Sequence, residues 1–106
     1  MPAYSVILTK LAVHIRKVEG ITDEELRKAQ TEVLRIAALD DPKTDPSLLR
    51  IKITRDVWHR QRIEGETFRT ILYIDDTERE IVIEAIMRRD KNTYRRVYMI
   101  FKRWEP

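Results

Sequence analysis

The stretch Trp58-His59-Arg60-Gln61-Arg62-Ile63-Glu64-Gly65-Glu66-Thr67-Phe68-Arg69-Thr70-Ile71-Leu72-Tyr73-Ile74 crosses the polar residues Asp75-Asp76-Thr77-Glu78. It then returns as Ile81-Val82-Ile83-Glu84-Ala85-Ile86-Met87-Arg88-Arg89-Asp90-Lys91-Asn92-Thr93-Tyr94. Its apolar runs are rich in β-branched and aromatic residues and are broken by short polar turns, the pattern of an antiparallel meander. Turns at 64–66 and 75–78 leave three consecutive strands. Arginines recur at strand positions. Arg60, Arg62, Arg69, Arg88 and Arg89 have few acidic residues close in sequence. A sheet that gathers such arginines is a candidate polyanion site.

Composition agrees. One hundred and six residues suit one domain, 1–106, with enough chain for a single core. The absence of cysteine excludes disulfides, thiolate nucleophiles and cysteine metal sites, and suits the cytosol. No apolar run nears the roughly 18 residues of a membrane span. The N-terminus lacks the pattern of an export signal, so a cytoplasmic location and no membrane partner are expected. Residues 1–49 carry seven Lys/Arg against eight Asp/Glu, and residues 50–106 carry fourteen against ten, so the basic excess lies in the sheet half. The plain alternative is a solvated surface of mixed charge.

Before the meander, residues 4–8 form a short strand, apolar enough to sit inside the sheet rather than at an edge. Residues 9–18 read as a helix capped by Thr9, with Leu11, Ile15 and Val18 at helical spacing and Gly20 ending it. Thr22-Asp23-Glu24-Glu25 is a capping box with acids at the positive end of the helix dipole. It opens a helix whose buried stripe is Leu26, Ala29, Val33, Ile36 and Ala37, stopping near Leu39 before Asp40-Asp41-Pro42. Residues 40–46 form a loop. In residues 48–58, Ile51 and Ile53 alternate with Arg50, Lys52 and Thr54. That is a strand pattern which either runs on into 58–63 or breaks near Arg55-Asp56. In residues 94–104, Tyr94, Val97, Tyr98 and Phe101 fall at helical spacing, although 97–101 also suits a strand. The expected class is α/β (α+β): an N-terminal strand, two antiparallel helices on one face of the sheet, and an antiparallel three-strand meander.

This order, with two motifs, resembles the RelE/ParE superfamily of toxins from toxin–antitoxin systems. Arg60-x-Arg62 followed by Phe68-Arg69-x-x-Leu72-Tyr73 is similar to that family's basic strand and its following aromatic–Arg strand. Residues 85–94 are similar to its strand end, an arginine with a tyrosine five or six residues on. The resemblance covers about residues 4–98. It implies a small microbial RNase fold, entry into the ribosome's decoding site, cleavage of mRNA there, and a cognate antitoxin that wraps the toxin. The chain would then be a monomer or a toxin–antitoxin hetero-oligomer. It leaves open whether Arg88 or Arg89 is the strand-end arginine.

Metal-free RNA cleavage uses the substrate's 2′-hydroxyl as nucleophile. It needs a proton acceptor, cations around the phosphorane and a donor for the leaving 5′-oxygen. No metal or other cofactor is expected. His14 is expected to cap or pack on its helix, and alternation turns His59 away from Trp58 and Arg60. Arginine stays protonated and clamps phosphate with its fork. Arg69 is therefore the first choice for the transition-state charge, its alternative role being a cross-strand partner of Glu80 or Glu84. Arg60 and Arg62 share a face and can hold successive phosphates. Arg88 and Arg89 point to opposite faces, so one of them meets the site. The resemblance implies that Tyr94 stacks on a base or moves a proton. Its plain alternative is core packing. Lys52 and Lys91 are secondary phosphate contacts. Two competing functions remain: the superfamily's non-catalytic branch, which binds DNA gyrase, and an inactive RNA-binding module.

Overall fold

The computed structural model describes residues 4–53, 56–90 and 95–96, the side chains of 52–53 and 56–57 excepted. The elements in chain order are β1 (Ser5–Leu8), α1 (Lys10–Val18), α2 (Asp23–Ala37), a 3-10 turn (Pro42–Thr44), β2 (Leu48–Ile53), β3 (Asp56–Arg62), β4 (Phe68–Asp75) and β5 (Glu80–Arg88). They build one five-stranded sheet in the order β1-β5-β4-β3-β2. β2 to β5 form an antiparallel run, and β1 joins β5 in parallel. Because Ile53 pairs with Asp56, the chain reverses between them, so residues 48–62 form a hairpin rather than one long strand.

β1 lies at the sheet edge, not inside it. It has only four residues, and Ser5 and Ile7 stay exposed. The edge beyond β1 is filled by α1. At its start the Thr9 amide donates to the Ile83 carbonyl at 3.3 Å. At its end the Arg88 amide donates to Glu19 Oε1 at 3.0 Å. The helix stops in the way its sequence dictates. Gly20 takes φ +69°, and the amides of Gly20 and Ile21 return to the carbonyls of Lys17 and Arg16, so the last carbonyls are satisfied. Val18, expected on the buried stripe, is 70% exposed, because the stripe has already turned off the sheet at the last turn.

α2 packs on one sheet face. Ala29, Val33, Ile36 and Ala37 meet Phe68, Leu72, Ile81, Ile83 and Ile86, together with Tyr4, Ala12 and Ile21. Gln61 is buried on the same face, donating to the Glu32 carbonyl of α2 and to Ser47 Oγ, both at 3.4 Å. The second face carries a smaller cluster. Ile71, Ala85 and Met87 meet Ile15 of α1, flanked by Leu11, Ile51 and Trp58. α1 thus feeds both clusters from the edge. A register shift between Ile71 and Leu72 makes Glu84 the extra residue of a β-bulge on β5.

The capping box forms as predicted. Thr22 Oγ1 accepts from the Glu25 amide at 3.1 Å, and Glu25 Oε1 accepts from the Thr22 amide at 3.0 Å. Thr22→Ala should therefore cost about 1 kcal/mol. Thermal denaturation should read this as a midpoint lower by about 5 °C. An unchanged midpoint would mean that the cap contributes nothing.

Candidate functional site

Register decides which side chains share a face. Arg60 stands opposite Ile71, Arg62 opposite Arg69, and Arg69 in turn opposite Met87. All of these lie on the face away from α2, since Gln61 and Thr70 between them are buried toward α2. The ladder continues one residue past β5, because the Arg89 amide donates to the Thr67 carbonyl at 2.7 Å. Alternation then puts Arg89 on the face of Met87 and Arg69. Arg62 and Arg69 therefore form a row across β3 and β4, with Arg89 on the same face one step ahead, opposite Thr67, and Arg60 one step behind.

Arg69 is the covered member of the row, 3% exposed. Its Nη1 donates to the carbonyls of Phe68 at 2.9 Å and Glu66 at 3.3 Å. Those acceptors lie at the start of β4 and in the turn before it, at the opposite end of the strand from Glu80, which pairs with Asp75. Arg62 and Arg89 are exposed and make no ion pair among the described residues. Like charges directly opposite one another destabilise a sheet. A bound anion would relieve that repulsion. Trp58 and Tyr73 lie on the same face with ring centroids 5.4 Å apart, tilted by 59°. This aromatic pair was not singled out in the sequence. The clue was that Trp58 shares parity with Arg60, and a flat side chain beside a phosphate clamp suits a nucleobase.

Arg88 faces the other way. Its Nη1 and Nη2 donate to Glu25 Oε2 at 2.6 Å and Oε1 at 2.7 Å, and Nη2 also donates to the Gly20 carbonyl at 2.7 Å. The carboxylate that closes the capping box thus also clamps the end of β5 to the α1–α2 corner. The sequence marked Glu25 only as a cap residue. Hydrogen bonding from Arg88 is the main reason that its pKa falls to about 2. For a depressed carboxylate the stabilisation is complete above the ordinary value near 4.5 and is lost as pH falls toward 2. Glu25→Gln should therefore destabilise the fold by about 2 kcal/mol at neutral pH. The gap from the unsubstituted chain should close between pH 4.5 and pH 2. A gap independent of pH would mean that the clamp does not depend on the charge.

The remaining predicted residues are placed unevenly. Lys52 pairs with Val57 across the β2–β3 ladder. Lys91 and Tyr94 lie outside the described residues, as do 97–104 of the predicted tail, while Arg95 and Arg96 are helical. His59 is on the α2 face, opposite Arg50 and Leu72, and away from the arginine row. No group of three or more His, Cys, Asp or Glu able to hold a metal occurs among the described residues. No helix among them is long and apolar enough to cross a membrane.

No family model and no curated protein matches this sequence. Solved structures do. A free E. coli RelE toxin carrying a double arginine-to-alanine substitution matches at 18% identity over 97% of this chain and 99% of its own, with a TM-score of 0.60. The same mutant bound to a RelBc antitoxin peptide matches at 9% identity over 90% and 94%, with a TM-score of 0.63. The archaeal RelE–RelB complex from Pyrococcus horikoshii OT3 matches at 17% identity over 84% and 98%, with a TM-score of 0.61. At these identities the likeness is one of fold. The chain has the fold of the RelE toxins.

Proposed function

We propose that this RelE-fold chain is the toxin of a toxin–antitoxin pair and a metal-independent endoribonuclease that cleaves mRNA on the ribosome. The observation that carries the reading is the shared face of Arg62 and Arg69, paired across β3 and β4, with Arg89 one step ahead of them and Arg60 one step behind. A gyrase binder or a passive module has no need of arginines converging on one phosphate. In the proposed reaction the 2′-hydroxyl of the substrate attacks the adjacent phosphorus, the bond to the 5′-oxygen breaks, and a 2′,3′-cyclic phosphate remains. Arg60 and Arg62 hold neighbouring phosphates. Arg69 stabilises the phosphorane once its guanidinium leaves the two carbonyls that now occupy it. Arg89 is the strand-end arginine, because Arg88 is committed to Glu25. Tyr94 assists proton transfer or stacks on a base, and Lys52 and Lys91 add phosphate contacts. The ribosome supplies much of the rate by positioning the mRNA, so a weak acid–base set suffices.

The proposed antitoxin is a peptide-like partner that brings acidic residues to the basic sheet, and its binding should weaken as salt rises. Two of the matched structures hold a RelB-type antitoxin, which supports this assignment. The deciding experiment induces the chain and maps transcript ends and chromosomal breaks in the same cells. Cuts within translated codons are the expected result. DNA breaks without RNA cuts, or neither, would overturn the nuclease reading.

A further inference from the structure

A second charged site lies on the opposite side of the sheet. Beside the 3-10 turn, a cleft of about 420 Å³ is lined by Lys43, Leu48, Arg50, His59, Ile74 and Asp76. Small-molecule sites begin at roughly 300 Å³, so the space exceeds what a single bound ion needs. Its charges are arranged in two tiers. Asp76 is already engaged, accepting from Tyr4 Oη at 2.6 Å and from Lys43 Nζ at 2.9 Å. Lys43 also lies 3.6 Å from Asp41. Arg50 is exposed and makes no ion pair among the described residues. It stands directly opposite His59 in the β2–β3 ladder. His59 Nδ1 is buried without a hydrogen-bond partner among the described residues. Leu48 and Ile74 give the cleft an apolar wall.

We propose that this cleft binds a phosphorylated nucleoside, with its phosphate on Arg50 beside His59 and its base or ribose against Leu48 and Ile74. Arg50 and His59 converge there from β2 and β3, while Lys43 stays with Asp76 and Asp41, its partners at 2.9 and 3.6 Å. The guanidinium of Arg50 offers the fork that phosphate geometry accepts. The ligand is either a free mononucleotide or the phosphate-bearing end of an RNA strand, and the chemistry is common to both. This inference does not depend on the nuclease reading, since none of these residues belongs to the arginine row.

His59 also makes the site pH-sensitive. Burial first, then Arg50, holds its pKa below the ordinary histidine value, Lys43 adds to this and Asp76 opposes it. The neutral ring is therefore favoured, and protonation on acidification adds positive charge facing the phosphate. The affinity of the unsubstituted chain relative to a His59→Gln variant should therefore rise as pH falls, the phosphate's own ionisation being common to both.

The test follows the imidazole resonances of the full chain, which has two histidines. His14 is exposed on α1 and serves as the internal control. Adenosine 5′-monophosphate and a 5′-phosphorylated oligoribonucleotide should shift His59 saturably, and adenosine should not. Tighter binding of the oligonucleotide identifies an RNA end as the source, and tighter binding of the mononucleotide identifies a free nucleotide. Arg50→Ala should fold normally and weaken binding roughly tenfold. His59→Gln should remove the histidine's part of the pH dependence, read by fluorescence titration of both proteins with a labelled nucleotide. No saturable shift at His59, equal binding of adenosine, or undiminished affinity in folded Arg50→Ala would overturn the proposal.

Discussion

Arg69→Ala should lower the rate of the proposed ribosome-dependent RNA cleavage on the order of a hundredfold or more, the effect of losing one charge-stabilising donor, worth about 3–4 kcal/mol in the barrier. Arg69→Lys keeps the charge but not the fork, so it should recover only part of that loss. The structure adds a second consequence. Nη1 ties the residue to the carbonyls of Phe68 and Glu66, so the alanine variant should also lose about 1–2 kcal/mol of stability. The rate must therefore be measured per folded molecule, with a melting curve on the same sample. A folded Arg69→Ala protein that cleaves at the full rate would remove Arg69 from the mechanism.

Phe68→Ala should have the largest effect on the fold itself. Phe68 is fully buried at the start of β4, in the cluster that joins α2 to the sheet. Removing a buried phenyl ring costs about 4 kcal/mol, against a total of roughly 5–15 kcal/mol for a domain of this kind. Chemical denaturation should place the variant near the edge of unfolding. The two adjacent residues thus separate the two kinds of loss. Phe68 should change chiefly the folded fraction, and Arg69 chiefly what the folded fraction does. A Phe68→Ala protein with an unshifted denaturation midpoint would show that α2 is not held through this ring.

Most of the local structure was legible in the sequence because its signals are local. The capping box at Thr22, the positive-φ stop at Gly20 and the period-2 arginines of β3 each depend on residues within four positions of one another. The side of the sheet that Arg60 and Arg62 share followed from alternation alone. The hairpin at 53–56 did not, because alternation continues unchanged whether a strand extends or doubles back. The edge position of β1 was also hidden. Its apolar content comes from Val6 and Leu8 packing against the main cluster, while Ile7 lies on the thinly covered side. The division of labour between Arg88 and Arg89 needed Glu25, which is distant in sequence and already assigned to a helix cap. The bulge at Glu84 left no mark, since the residues on both sides of it are apolar and suit either face.

The parallel pairing of β1 with β5 sets Ser5 beside Glu80, and this has a consequence for the chain during its own synthesis. At about 5–20 residues per second, the first strand waits roughly 4–15 s for its partner to be made. Throughout that interval α2 has no complete sheet to cover. Long-range contacts of this kind form late. Arg89 is made after β5 itself, so the arginine set is completed only once the sheet is, and Arg96, which pairs with Glu19 at 2.7 Å, follows later still. A truncated translation product, or one stalled before this point, would lack both the closing strand and the full set of cations. The order of assembly thus delays any activity of this surface until β5 and Arg89 have been made.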